Sequence, residues 1–313
     1  MQRWRVMLST IRTMPMMAIV ADGSSMCVDR HARPGAAFSC AAIVHVGQSA
    51  VVLRPVSGTH GAADGLLVVT GESAGLMPGG IRMPNAQFSA LLPRFAALRT
   101  RNTLVDATTF AHSAMEIDLH IRPSKTYRAA LDALQRGLWA ETCANGTNAA
   151  GTHNTAAVMN PDPLRRQAPL LAAAATDGAM AQVRRQVGSL IGAGPGTTPT
   201  GDDIIVGVLA ACALVDDRRA GALVATAVAP LLADTTAASQ HYLRAAIDGR
   251  FGEHIHELVS AATARSSPAE AIARAKTWGS SSGLDVLTGL LAMLKAAQPN
   301  TERMDDLSME RSA

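Results

Sequence analysis

The run from Ile204 to Leu214, IIVGVLAACAL, is so apolar that as a helix it must be buried, and the rest of the fold has to supply its cover. It is well short of the ~18 consecutive apolar residues of a membrane span, and it contains Gly207. What precedes it is as constraining. Between Leu190 and Gly201 six residues are Gly or Pro, and two adjacent carboxylates, Asp202 and Asp203, then open the apolar run. Glycines let a backbone turn through positive φ and bring its N–H groups close to a ligand. A helix beginning there points its unpaired N–H groups and positive dipole end at the same place, which suits an anion. Asp202 and Asp203 would repel a bare phosphate or carboxylate. A hard cation between them and the anion removes the conflict, and Mg²⁺ held by one or two carboxylates plus substrate oxygens is the expected form.

The plainer alternative is a tight, capped connection between two core helices. Thr197, Thr198, Thr200, Asp202 and Asp203 crowd more polar chemistry into seven residues than a cap requires. The candidate ligand-binding groups are therefore Gly194, Gly196, Thr197, Thr198, Thr200 and Gly201 around the anion, with Asp202 and Asp203 as metal ligands or proton acceptors. No Gly-Lys-Ser/Thr closes the loop as in a Walker A site, and there is no strand-borne GxGxxG.

A second stretch repeats the pattern in miniature. Gly279-Ser280-Ser281-Ser282-Gly283-Leu284-Asp285 precedes an apolar helix from Val286 to Ala296. Ser282, Gly283 and Asp285 join the candidate site on the expectation that both loops build one pocket. Between them lies a polar group, Thr235, Thr236, Ser239, Gln240 and Tyr242; Thr235 is the expected N-cap of a helix through Ile247, and Thr235 and Ser239 are added as candidates, with ordinary capping as the alternative.

The segment Gly192 to Asp203, continued by Gly207-Val-Leu, closely resembles the signature of the AllH-type family, named for a subunit of the bacterial oxamate carbamoyltransferase of allantoin breakdown. The resemblance is specific over roughly Met180 to Leu294, and the second loop resembles the family's second motif. Thr197 stands where the family usually carries Leu, Thr200 keeps the hydroxyl of a common Ser, and Ser280 or Ser281 replaces a bulkier residue. It implies a carbamoyltransferase subunit of purine catabolism acting with AllF- and AllG-type partner subunits on a small anionic substrate; a cytoplasmic location is expected from the isolated cysteines.

Composition sets the limits. The formal net charge of +3 is small for 313 residues and aromatics are 3%, which argues against nucleic acid as a partner. The four cysteines are unpaired in spacing and read as reduced thiols, with Cys212 a small buried hydrophobe. No GxSxG, no Cys set beside a His and no Lys in either loop offers a nucleophile with its base.

From Phe38 to about Ile121 the pattern is β-like: Ala41–Val46 and Ala50–Leu53 flank the hairpin punctuation Gly47-Gln48-Ser49, and Leu66–Thr70, Leu104–Asp106 and Met115–Ile121 add strands. His112, Glu116, Asp118 and His120 read as an exposed strand face rather than a metal site. Tyr127, Leu131, Leu134 and Leu138 mark a helical stripe, and nearly everything after Leu170 is helical. The expected class is α+β, a mainly antiparallel N-terminal β domain followed by an all-helical C-terminal domain. The expected divisions are a lead over 1–36, a β-rich domain over 37–142, a linker over 143–169, the helical domain over 170–297 and a disordered tail over 298–313. Three functions follow: a transferase subunit, a non-catalytic small-anion binding protein, or a structural subunit whose loops only shape an interface.

Overall fold

The computed structural model describes residues 16–18, 26–30, 41–55, 65–101, 104–106, 115–127, 130–144 and 163–298. Residues 145–162 of the stretch read as linker, residues 299–313 of the tail, most of the expected lead, and His112 lie outside the described residues. The chain divides into two compact units, one comprising Met1–His120 with Arg250–His254, the other Ile121–Gly249 with Ile255–Ala313.

In the first unit eight strands form one sheet: β1 (Met16–Ala18), β2 (Cys27–Asp29), β3 (Ala41–Val46), β4 (Ala50–Pro55), β5 (Leu67–Gly71), β6 (Gly80–Met83), β7 (Leu104–Asp106) and β8 (Met115–Ile117). Their order is β1-β7-β3-β4-β5-β6-β2-β8. Antiparallel pairing prevails, at four junctions against three parallel ones. The β3–β4 hairpin turns where Gly47 and Ser49 place it, with the Gly47 N–H donating to the Ala50 carbonyl at 2.8 Å. Strand β2 falls in the stretch expected as a lead, and β8 is shorter than the alternation of Met115 to Ile121 suggests. Asp118 accepts from His120 at 2.7 Å, and this bond holds its pKa at about 2.

One element of this unit departs from the β-like reading. Helix α1 (Asn85–Thr100) lays Phe88, Leu91, Phe95 and Leu98 against Val51, Leu53, Leu67, Val69 and Ile81 of the sheet. The spacing of those four residues is helical. Pro93, whose ring removes one backbone bond, sits on the exposed side of the helix.

The segment Arg250–His254 belongs to this unit although it comes from far along the chain. Arg250 meets the buried Asp29 carboxylate at 3.3 Å, Glu253 pairs with Arg82, and the Phe251 N–H donates to the Leu119 carbonyl at 2.9 Å. Asp29 also accepts from the Gly79 N–H at 2.7 Å.

The second unit is helical: α2 (Leu131–Ala144), α3 (Ala168–Asp177), α4 (Met180–Leu190), α5 (Thr200–Val215), α6 (Arg218–Val228), α7 (Ala237–Ile247), α8 (Glu253–Ala262), α9 (Pro268–Ala275) and α10 (Ser282–Ala296), with the first two residues of α8 counted in the other unit. Helix α2, placed by the sequence in the β-rich stretch, groups here. As its composition requires, α5 is buried along nearly its whole length, and α3, α4, α6, α7 and α10 pack around it. Burial pushes the Cys212 thiol pKa up to about 12, in keeping with a packed, unreactive side chain. Among the described residues no helix is long and apolar enough to cross a membrane.

The α5–α10 contact is made by glycine. A Cβ at Gly207 would collide with the Val286 carbonyl and lie 2.8 Å from the Leu290 nitrogen; one at Gly289 would collide with the Ile204 carbonyl. The two backbones therefore touch. Gly289→Val is expected to cost at least about 1–3 kcal/mol in urea unfolding through overpacking. Gly188→Ala, at an exposed α4 position where a Cβ meets nothing within 4 Å, is expected to gain about 0.5–1 kcal/mol.

Candidate functional site

Helix α4 ends at Leu190, and Gly192 at φ 69° turns the chain away from it. Asp202, in the first turn of α5 and 1% exposed, reaches back to this turn: one oxygen accepts the Gly192 N–H at 2.9 Å and the other accepts the Thr235 hydroxyl. Asp202 thus fastens the start of α5 to the end of α4 and to the segment before α7. It is a positioning residue with both oxygens engaged. The Gly201 N–H donates to Ala193, and the Asp202 and Asp203 N–H groups donate to Pro199. The first-turn amides expected to face an anion are turned inward. Gly201 is there because a side chain would strike the Leu190 carbonyl. What remains open is the tip of the loop, where Gly194 at φ 113° and Gly196 at φ 99° are exposed together with Pro195 and Thr197.

The second loop meets the first. Thr198 Oγ1 and Ser282 Oγ lie 2.9 Å apart, and the Thr200 hydroxyl donates to Asp285 at 3.1 Å. Asp285 is fully buried, and Arg165 Nε donates to its other oxygen at 2.7 Å. Gly283 packs against the end of α9, since a Cβ would strike the Ala275 carbonyl. The first turn of α7 closes a third side. Thr236, rather than Thr235, is the N-cap, accepting from the Ser239 N–H at 3.1 Å and donating to the Thr197 carbonyl at 2.5 Å.

The two loop-helix units superpose as sequences: Thr200-Gly-Asp-Asp203 through Gly207 runs beside Ser282-Gly-Leu-Asp285 through Gly289. The equivalent residues play equivalent parts. Gly201 and Gly283 seat each helix start, and Gly207 and Gly289 form the crossing. Thr200 bonds to Asp285, and Ser282 is hydrogen-bonded to Asp203. The symmetry breaks at the carboxylates. Asp285 has Arg165. Asp203, 8% exposed, has one buried oxygen, Oδ2, with no hydrogen-bond partner.

Burial raises the Asp203 pKa well above the usual carboxylate range; Asp285 and Asp202 push it the same way, against the hydroxyls of Ser282 and Thr198. Ser239, 2% exposed in the first turn of α7, likewise has a hydroxyl without a partner. One turn further along that helix, burial and the charge of Asp203 raise the pKa of Tyr242. Arg165 was not visible as a site residue, because it lies in the Pro- and Asn-rich stretch read as linker and no local pattern marks it. The sequence showed the second loop as a repeat of the first; the structure extends the repeat to Gly207 and Gly289, and so pairs Asp203 with Asp285.

The donors fit a resident Mg²⁺ poorly. Asp202 has both oxygens engaged, Asp285 is paired with Arg165, and burial disfavours the charged form of Asp203. Among the described residues no group of three or more His, Cys, Asp or Glu side chains is arranged to hold a metal.

Residues 190–294 match the family described as oxamate carbamoyltransferase subunit AllH. The matched span takes in both loops, the crossing of α5 with α10, and the first turn of α7; the chain before Leu190 lies outside it. No curated protein and no solved structure matches the chain.

A carboxyl with a raised native pKa gives a signed prediction. Between the ordinary carboxylate value and the raised one, the folded state binds a proton that the unfolded state has released, so stability falls as pH rises through that window. Asp203→Asn removes this slope. Thermal melts should show the variant gaining on the wild type as pH goes from 5 to 8.

Proposed function

We propose that the protein is a subunit of an oxamate carbamoyltransferase-like enzyme, completed by partner subunits of the AllF and AllG type, and that its site lies where the two loops meet. The observation that carries this reading is the junction of Thr198 with Ser282 beside Asp203, whose Oδ2 has no hydrogen-bond partner, inside the span that matches the family. Carbamoyl compounds have an anionic end and a carbamoyl or carboxamide end. The exposed backbone around Gly194, Gly196 and Thr197 suits the former, and the buried carboxyl of Asp203 suits the latter.

Transfer of a carbamoyl group from an amide nitrogen to phosphate forms a bond from a phosphate oxygen to the carbamoyl carbon and breaks the carbon–nitrogen bond. The departing nitrogen gains a proton. Asp203, whose pKa burial raises, supplies that proton in this reading, and Asp202 keeps the loop in place around it. Close positioning of the two reactants contributes the rest.

The protein, alone and with its partner subunits, should be assayed for oxamate- and phosphate-dependent carbamoyl exchange. Exchange is expected in the complex and is lost in Asp203→Asn. Binding to the folded form at a hundredfold excess over Kd should add about 2.7 kcal/mol of stability. Melting temperatures that ignore phosphate, carbamoyl phosphate, oxamate and Mg²⁺ would leave only a structural subunit. Stabilisation by phosphate or oxamate without exchange in the complex would favour a small-anion binding protein. If Mg²⁺ does stabilise the protein, Asp203→Asn abolishes that response; a response retained in the variant removes Asp203 from any metal site.

A further inference from the structure

Helices α5 and α10 also have a far end, away from the two loops, and the chemistry collected there is not used by the proposed function. Helix α5 ends at Val215 and α10 at Ala296. These two residues, with Ser124, Lys125, Tyr127 and Asp217, face a cavity of about 580 Å³, a volume in the range of small-molecule sites. At 1.5 Å per residue the 16 residues of α5 put it roughly 24 Å from the loops. Its wall is fixed from behind. The Ser124 N–H donates to the Leu214 carbonyl at 2.7 Å, which pins the segment of Lys125 and Tyr127 to the end of α5, and Tyr127 is 8% exposed. Asp217 is the N-cap of α6, its Oδ1 accepting the Ala220 N–H at 2.9 Å. Two opposite charges thus face one cavity without forming an ion pair. Among the described residues neither the Lys125 ammonium, nor Asp217 Oδ2, nor the Tyr127 hydroxyl has a hydrogen-bond or ion-pair partner.

We infer that this cavity binds a zwitterionic amino acid with an aliphatic side chain. Its ammonium is held by Asp217, its carboxylate by Lys125 and the Tyr127 hydroxyl, and its side chain lies against Val215 and Ala296. The C-terminal ends of α5 and α10 carry partial negative charge, which adds to Asp217 in favouring an ammonium. A phosphate or dicarboxylate would meet that charge with one lysine to offset it. A simple amine would leave Lys125 facing a like charge, and a simple carboxylate would leave Asp217 doing the same. A zwitterion answers both groups at once. The site is independent of the two loops, and the proposed function neither supports it nor falls with it.

Calorimetry and thermal shift on the full chain should compare L-leucine with 4-methylpentanoate, which lacks the ammonium, and with 3-methylbutylamine, which lacks the carboxylate. Leucine is expected to bind about tenfold more tightly than either, the worth of one hydrogen bond to a charged group. Lys125→Gln, at an exposed position, should erase the preference over 3-methylbutylamine and keep that over 4-methylpentanoate. Asp217→Asn, which retains a side-chain acceptor for the cap, should do the reverse. Asp203→Asn should bind leucine as the wild type does. Equal binding of the three compounds, no saturable binding of leucine, or a leucine affinity unaltered by both charge substitutions overturns the assignment. Loss of leucine binding in Asp203→Asn overturns it too, by moving the amino acid to the loops.

Discussion

Everything at the site depends on two helix backbones being able to touch. Gly207 and Gly289 each lie seven residues into their helices, about 10 Å from the start at 1.5 Å per residue, so the contact fixes both N-termini at the same distance from one crossing. Side chains at either position would push the helices apart and draw Thr200 away from Asp285 and Thr198 away from Ser282. The hydroxyl–carboxylate bonds across the loops are consequences of this close packing.

On that frame the acidic groups take different duties according to what surrounds them. Asp202 is spent on a backbone N–H and a hydroxyl, and holds the loop. Asp285 is spent on a hydroxyl and a guanidinium, and holds Arg165 from another segment. Asp203 alone keeps an oxygen unspent, and burial raises its pKa. Three carboxylates of similar sequence context thus diverge through their neighbours, two with both oxygens engaged and one with an oxygen left over.

Much of this could be read from residue order because the signals are local. Gly47-Gln48-Ser49 marks a hairpin, Gly192 ends a helix, and the apolar run after Asp203 has to be buried. The meeting of the two loops was legible as a repeat of small residues, hydroxyls and a carboxylate. Other features were hidden for physical reasons. Helix α1 was masked by turn residues before it and by Pro93 within it, although the spacing of Phe88, Leu91, Phe95 and Leu98 was helical. Thr235 and Thr236 are adjacent hydroxyls, and only the backbone shows that the second is the cap. Arg165 reaches its carboxylate across 120 residues, a relation that no sequence window contains.

The five residues Arg250–His254 have a consequence for how the chain is made. The β unit contains a buried carboxylate, Asp29, whose guanidinium partner comes from position 250. A nascent chain emerging from the ribosome builds all eight strands long before that partner exists. Until then the acid has to stay hydrated, and the sheet waits for a piece of the later half to complete it. Vectorial synthesis therefore couples the two halves in time, and a protein cut between them would strand a charge in its first half.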